Sequence, residues 1–203
     1  MVLYNFMERG FYVVITLDRM GDLQKFLPWL KKYNKYPILV AIADDVVDAF
    51  RKKTMVGFLS PFDATVYLDT DVLVNGNLDY LFEVAESGFI GIYRETSYPI
   101  CNAGILAIPR NIKKEFSEKL LPLYNAKKRP AIGDWDQDVL NSLLPQFPVC
   151  YLPREYNCIL SEITPEQEKE MFSRVKLFHF LHHGGVKREQ YKSWRIYQGL
   201  ESI

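Results

Sequence analysis

The chain has 203 residues, 48% of them hydrophobic and 14% aromatic, enough to bury a sizeable core in a single domain over residues 1–203. Its 25 basic and 25 acidic residues cancel, which argues against nucleic acid or an anionic membrane as the partner and confines any binding function to a local site. Cys101, Cys150 and Cys158 have no metal-type spacing, and their odd number argues against a disulfide framework. With neither a signal peptide nor a transmembrane run in view, the expectation is a soluble, cytoplasmic protein with reduced thiols.

In chain order, GFYVVITLD (10–18) is a continuous apolar run rich in β-branched and aromatic residues. It predicts a buried strand ending at Asp18. GDLQKFLPWLKKY (21–33) has helical spacing at Leu23, Phe26, Leu27 and Leu30, although Pro28 argues against a helix. YPILVAIADD (36–45) predicts a second buried strand ending in Asp44 and Asp45. DDVVDAFRKK (44–53) predicts a helix with acidic residues first and basic ones last, as the macrodipole favours. ATVYL (64–68) predicts a third strand. This β-α-β-α-β order predicts a parallel sheet with helices on its faces. Ligands bind such sheets beyond the carboxyl ends of their strands, where Asp18 and the Asp69/Asp71 pair fall. In the second half, 88–94, 102–109 and 175–183 predict strands, and 111–124 and 134–144 predict helices.

The run TVYLDTDVLV (65–74) sets two carboxylates two residues apart amid apolar residues. If the chain stays extended, period two puts both on one face, where they repel unless solvent or a cation offsets them. A hard divalent cation, Mg²⁺ or Mn²⁺, would turn that repulsion into attraction and keep open positions for phosphate oxygens. An acidic loop at a strand end is the plainer alternative. An Asp-x-Asp phosphatase is another, but its nucleophilic Asp normally follows the first strand, and here two β-α units precede the pair.

SPFDATVYLDTDVLVNGNLDYLFE (60–83) resembles the central signature of GT-A-fold glycosyltransferases, within them the glycogenin and bacterial lipopolysaccharide-galactosyltransferase group of family eight and its relatives. Three further motifs arrive in that family's order. CNAGILAIPRN (101–111) is similar to its Asn-Ala-Gly strand, DWDQDVLN (134–141) to its Asp-Gln-Asp helix, and FHFLHHGGVK (178–187) to its late histidine segment. The four cover roughly residues 11 to 188, and the chain's length resembles the short versions found in some large viruses. The resemblance implies an α/β, GT-A fold with a mixed, mostly parallel sheet. It also implies a nucleotide-binding half over about 1–75 and an acceptor and catalytic half over about 76–203. The implied partners are a nucleotide sugar donor, UDP-linked, and a glycan or other hydroxyl acceptor. The implied reaction retains anomeric configuration and depends on Mn²⁺ or Mg²⁺.

Carried over residue by residue, the resemblance makes Asp69 and Asp71 metal ligands, with Thr70 beside the nucleotide. A late histidine completes the set. Glycine spacing favours His182, three residues before Gly185, with His179 next. Gly185 would let backbone approach a phosphate. Lys187 would supply the point charge, with Arg188 as the alternative; the family's proline and tryptophan beyond it are replaced by Arg188 and Glu189. Thr16, Leu17 and Asp18 fall where the family cradles uracil, or Asp18 is a helix cap. Lys53 falls where the family faces the donor phosphates, or it is a solvated charge at a helix end beside Arg51 and Lys52. Asn102, Ala103 and Gly104 would lie beside the donor sugar. Asp136 and Gln137 would face the sugar opposite the departing phosphate and Asp138 would contact its hydroxyls, or the acidic residues merely complement a helix dipole. Trp135, Tyr156, Tyr191 and Trp194 form an aromatic platform for an acceptor, or pack in the core.

Overall fold

The computed structural model describes residues 8–96, 100–126 and 135–180, the side chains of Trp135, Asp136 and Pro165 aside. Its main sheet has six strands. These are β1 (Arg9–Thr16), β2 (Ile38–Ala43), β3 (Ala64–Leu68), β5 (Ile90–Arg94), β6 (Cys101–Ile108) and β7 (Val149–Tyr151), in the spatial order β2-β1-β3-β6-β5-β7. Only β6 runs against its neighbours, so the sheet is mixed and mostly parallel. A smaller sheet holds β4 (Val72–Val74), β9 (Leu177–His179) and β8 (Cys158–Ile159), in the order β4-β9-β8.

Period two sorts the apolar strand residues into two cores. Phe11, Val13, Ile15, Val66, Leu68, Ile105 and Ala107 face one side, where α1 (Met20–Tyr33) and α4 (Asp79–Glu86) cover them. Tyr12, Val14, Tyr67, Leu106 and Ile108 face the other, under α5 (Arg110–Ala126) and α6 (Trp135–Leu143), with α2 (Val46–Thr54) and α3 (Val56–Leu59) beside them. A third cluster of Leu73, Cys158, Leu160, Val175, Phe178 and Phe180 backs the small sheet.

Several expectations change. The helix at 21–33 forms despite Pro28, because Pro28 is on an exposed flank where water can replace the missing backbone bond. The run 36–45 is not a buried strand: β2 is an edge strand, half-buried, with Ile42 51% exposed. The chain does not stay extended from Asp69 to Asp71: it turns at Thr70 and Asp71, and Val72–Val74 enters the other sheet. The late strand spans Leu177–His179, and residues 181–183 lie outside the described residues. The short strands β7 and β8 and helix α7 (Pro165–Met171) were not anticipated; α7 starts at a capping box in which Thr164 and Gln167 each bond the other's backbone N–H.

Candidate functional site

The switch from the large sheet to the small one builds the site. Asp69 follows β3, and its N–H donates to the Gly104 carbonyl of β6 at 2.8 Å. Asp71 precedes β4, and its carbonyl accepts from the Phe180 N–H at 2.9 Å. Each carboxylate is thus tied by backbone to a different sheet. Antiparallel pairing of β4 with β9 sets His179 opposite Val72, next to Asp71. One ligand atom from each of Asp69, Asp71 and His179 lies within 4.8 Å of the others. The imidazole is 2% exposed, with Nε2 3.4 Å from Asp71 Oδ1. Among the described residues, His179 is the histidine that the fold brings to the carboxylate pair; His182, Gly185 and Lys187 lie outside the described residues.

Buried Lys53, at the end of α2, extends its ammonium to 3.4 Å from Asp69 Oδ2 and 4.7 Å from the Tyr67 ring centre. The Tyr67 hydroxyl donates to Asp69 Oδ1. Asp69 therefore stands in contact with a cation, which offsets the cost of partly burying it. The solvated-charge alternative for Lys53 does not hold, since its side chain is 7% exposed.

These groups open onto a cleft of about 340 Å³ beyond the carboxyl ends of β1 and β3. Thr16, Asp18, Lys53, Asp69, Thr70 and Asp71 all line it. Leu17 does not; it is 64% exposed. Arg19, Phe50 and Tyr67 also line the cleft, and sequence reasoning singled out none of them. For Tyr67 a signal existed, since it precedes Asp69 by two residues and so shares its face of the strand.

The Asn102, Ala103 and Gly104 segment is the start of β6 and is buried. Asn102 Oδ1 accepts from the Gly104 N–H and from Asn157 Nδ2, both at 3.0 Å. Asn102 Nδ2 donates to Glu95 Oε1 at 3.0 Å. A Cβ added at Gly104 would stand 2.9 Å from His179 Nε2 and closer still to Cε1. The absence of a side chain there gives the imidazole its place. Gln137, on the first turn of α6, is also buried: Oε1 accepts from the Ala103 N–H at 3.3 Å, and Nε2 donates to Glu95 Oε1 at 3.2 Å. Asp138 is exposed, and Asp136 belongs to α6. Of the aromatic platform, Tyr156 packs 4.9 Å from Tyr80, Trp135 belongs to α6, and Tyr191 and Trp194 lie outside the described residues. Glu95 and Asn157 were not anticipated, and no motif in the sequence marks them.

The three cysteines are free. Burial pushes the Cys158 thiol up to about 12, so beside Asn157 it is a neutral thiol and no thiolate ligand at neutral pH.

No protein-family profile matches the sequence, and neither does any curated protein. Solved structures do match. The glycosyltransferase GlyE of Streptococcus pneumoniae TIGR4 superposes with a TM-score of 0.70 at 16% identity, over 92% of this chain and 60% of its own. A glycosyltransferase involved in glycosylation of the major capsid of PBCV-1 gives 0.66 at 13% identity, over 92% of this chain and 99% of its own. The galactosyltransferase LgtC, solved with donor and acceptor sugar analogs, gives 0.63 at 14% identity, over 96% and 97%. The chain thus spans three-fifths of GlyE and nearly the full length of the other two. It has the GT-A fold of these glycosyltransferases.

Proposed function

We propose that the protein is a metal-dependent glycosyltransferase that moves a hexose or deoxyhexose from a UDP-linked donor to a glycan or other hydroxyl acceptor, with retention of anomeric configuration. The observation that carries this reading is the convergence of His179 on Asp69 and Asp71, two carboxylates that line the same cleft as Lys53. Two carboxylates and an imidazole nitrogen make a mixed O/N donor set, which suits Mn²⁺ better than Mg²⁺ with its preference for oxygen alone. A cation held there offsets the charge that builds on a departing diphosphate.

In this reading the rest of the cleft orients the donor. Thr16 and Asp18 bind the base at the end of β1, Asp18 accepting from its N–H. Lys53 holds Asp69 in place and adds positive charge beside the phosphates. Gly185 and Lys187 complete the phosphate side. Asp136, Gln137 and Asp138 supply the sugar side. The bonds that Gln137 Oε1 accepts are long, at 3.3 and 3.4 Å, so the oxygen retains capacity to face an oxocarbenium-like centre. The small, buried Ala103 and Gly104 lie between the two sides, Ala103 against Gln137 and Gly104 against His179.

A panel of nucleotide sugars tested with and without Mn²⁺, following release of the nucleoside diphosphate, examines this directly. Mn²⁺-dependent release of UDP, slow by hydrolysis and faster with acceptor, is the expected result. Gln137→Ala and Asp136→Ala should spare donor binding and slow transfer about 100-fold. Donor binding without turnover across an acceptor library would replace this reading with that of a nucleotide-sugar-binding domain.

A further inference from the structure

Behind His179 lies a chain of buried amides whose direction is fixed from both ends. At one end the Gly104 N–H, only a donor, points at Asn102, so the atom it meets must be the amide oxygen. At the other end the Glu95 carboxylate accepts from the Asn102 amide nitrogen. With Asn102 so oriented, Asn157 must donate to Asn102 Oδ1 through Nδ2. That leaves Asn157 Oδ1 facing His179 Nδ1 at 2.9 Å. An amide oxygen only accepts, so Nδ1 carries the proton. In the neutral ring Nε2 then bears a lone pair, directed at Asp71 Oδ1 3.4 Å away. Two acceptors facing each other favour a cation between them. Asn157 is fully buried and Asn102 nearly so, and the oxygen and nitrogen of each amide have protein partners.

We propose that Asn157 is a positioning residue for metal binding: it holds His179 as the Nδ1–H tautomer and so presents Nε2 to a divalent cation shared with Asp69 and Asp71. This rests on the metal-dependent reading above. Asn102 is the keystone of the same chain, so its amide serves the protein's interior. Through Asn102, Glu95 and Gln137, the metal side and the sugar side of the cleft belong to one hydrogen-bonded unit.

The tautomer can be read without metal. The chain has only three histidines, so ¹⁵N ring spectra of histidine-labelled, metal-free protein at about pH 8.5, above the ordinary imidazole range, resolve each one. A His179→Gln variant assigns its signal. The expected result is a neutral Nδ1–H ring at His179. Asn157→Leu should abolish that preference and weaken Mn²⁺ binding, measured by electron paramagnetic resonance without donor, by about 10- to 100-fold. Asn157→Asp keeps an oxygen for Nδ1–H but loses the donor to Asn102 Oδ1, so it should keep the tautomer and lose less Mn²⁺ affinity than Asn157→Leu. Thermal melts check that both variants fold, and the spectrum of the unaltered protein tests the proposal even if they do not. An Nε2–H or doubly protonated ring in the unaltered protein overturns the proposal. So does an Asn157→Leu protein with parental affinity, or equal losses in the Leu and Asp variants, which would mark a packing role. A protein with the expected tautomer that binds no Mn²⁺ overturns the metal-dependent reading instead, and this proposal falls with it.

Discussion

Asp69 and Asp71 are adjacent in sequence to a strand, but what makes them a site is what each touches. Asp69 meets Lys53 and Tyr67, whereas Asp71 faces a buried imidazole. The pair was legible because two carboxylates amid apolar residues demand a compensating charge. The histidine was harder to choose, because glycine spacing pointed to His182 while the strand Leu177–His179 delivers His179. Gly104 shows how a small residue acts at this scale. Gly104→Ala sets a methyl group against the imidazole, and neither a β-strand backbone nor a ring packed on Asn157 yields easily. We expect Mn²⁺ affinity to fall more than about 10-fold with the protein still folded, as seen by a Mn²⁺ titration alongside circular dichroism. Unchanged affinity would show that the imidazole can sit elsewhere and still bind the ion.

At the scale of elements, periodicity carried the first half of the chain. The continuous apolar runs in β1 and β3 and the helical spacing in α1 named those elements, and the acidic residues at the strand ends pointed to the cleft. The second half was less legible, because β7 and β8 have three and two residues, too few for a period to show. Their pairing is long-range, and only tertiary packing makes them strands. Close helix packing was equally hidden. In α3, the Gly57 N–H donates to Ser117 Oγ at 2.8 Å, and a Cβ at Gly57 would stand 2.5 Å from the Lys113 carbonyl carbon of α5. Gly57→Ala should therefore cost about 3 kcal/mol in urea unfolding, since two backbones must part. Gly21→Ala serves as the contrast: it has open space around it near the start of α1, and should be neutral or stabilising by about 0.5 kcal/mol. Equal effects at the two glycines would contradict this account of how α3 docks.

Across the whole molecule, the fold separates tasks between two sheets. The large sheet supplies the cleft floor, Asp69 and, through β6, Gly104. The small sheet supplies His179 and locks Asp71 in place. The site exists only where the sheets meet, so it depends on the complete fold and not on one local motif. Four motifs in order made the fold legible from sequence. Neither Asn157 nor Glu95 stood out, because a buried amide or a half-buried carboxylate in a structural network leaves no periodic or charge signature. The central claim is that Asp69, Asp71 and His179 together hold a divalent cation that binds a nucleoside diphosphate. The most direct measurement is a Mn²⁺ titration followed by electron paramagnetic resonance, with and without UDP, on the unaltered protein and on Asp71→Ala. The account predicts a saturable, stoichiometric site that UDP tightens and that Asp71→Ala weakens by at least about 10-fold, or about 1.4 kcal/mol. Equal Mn²⁺ binding by the two proteins, or none by either, would contradict it.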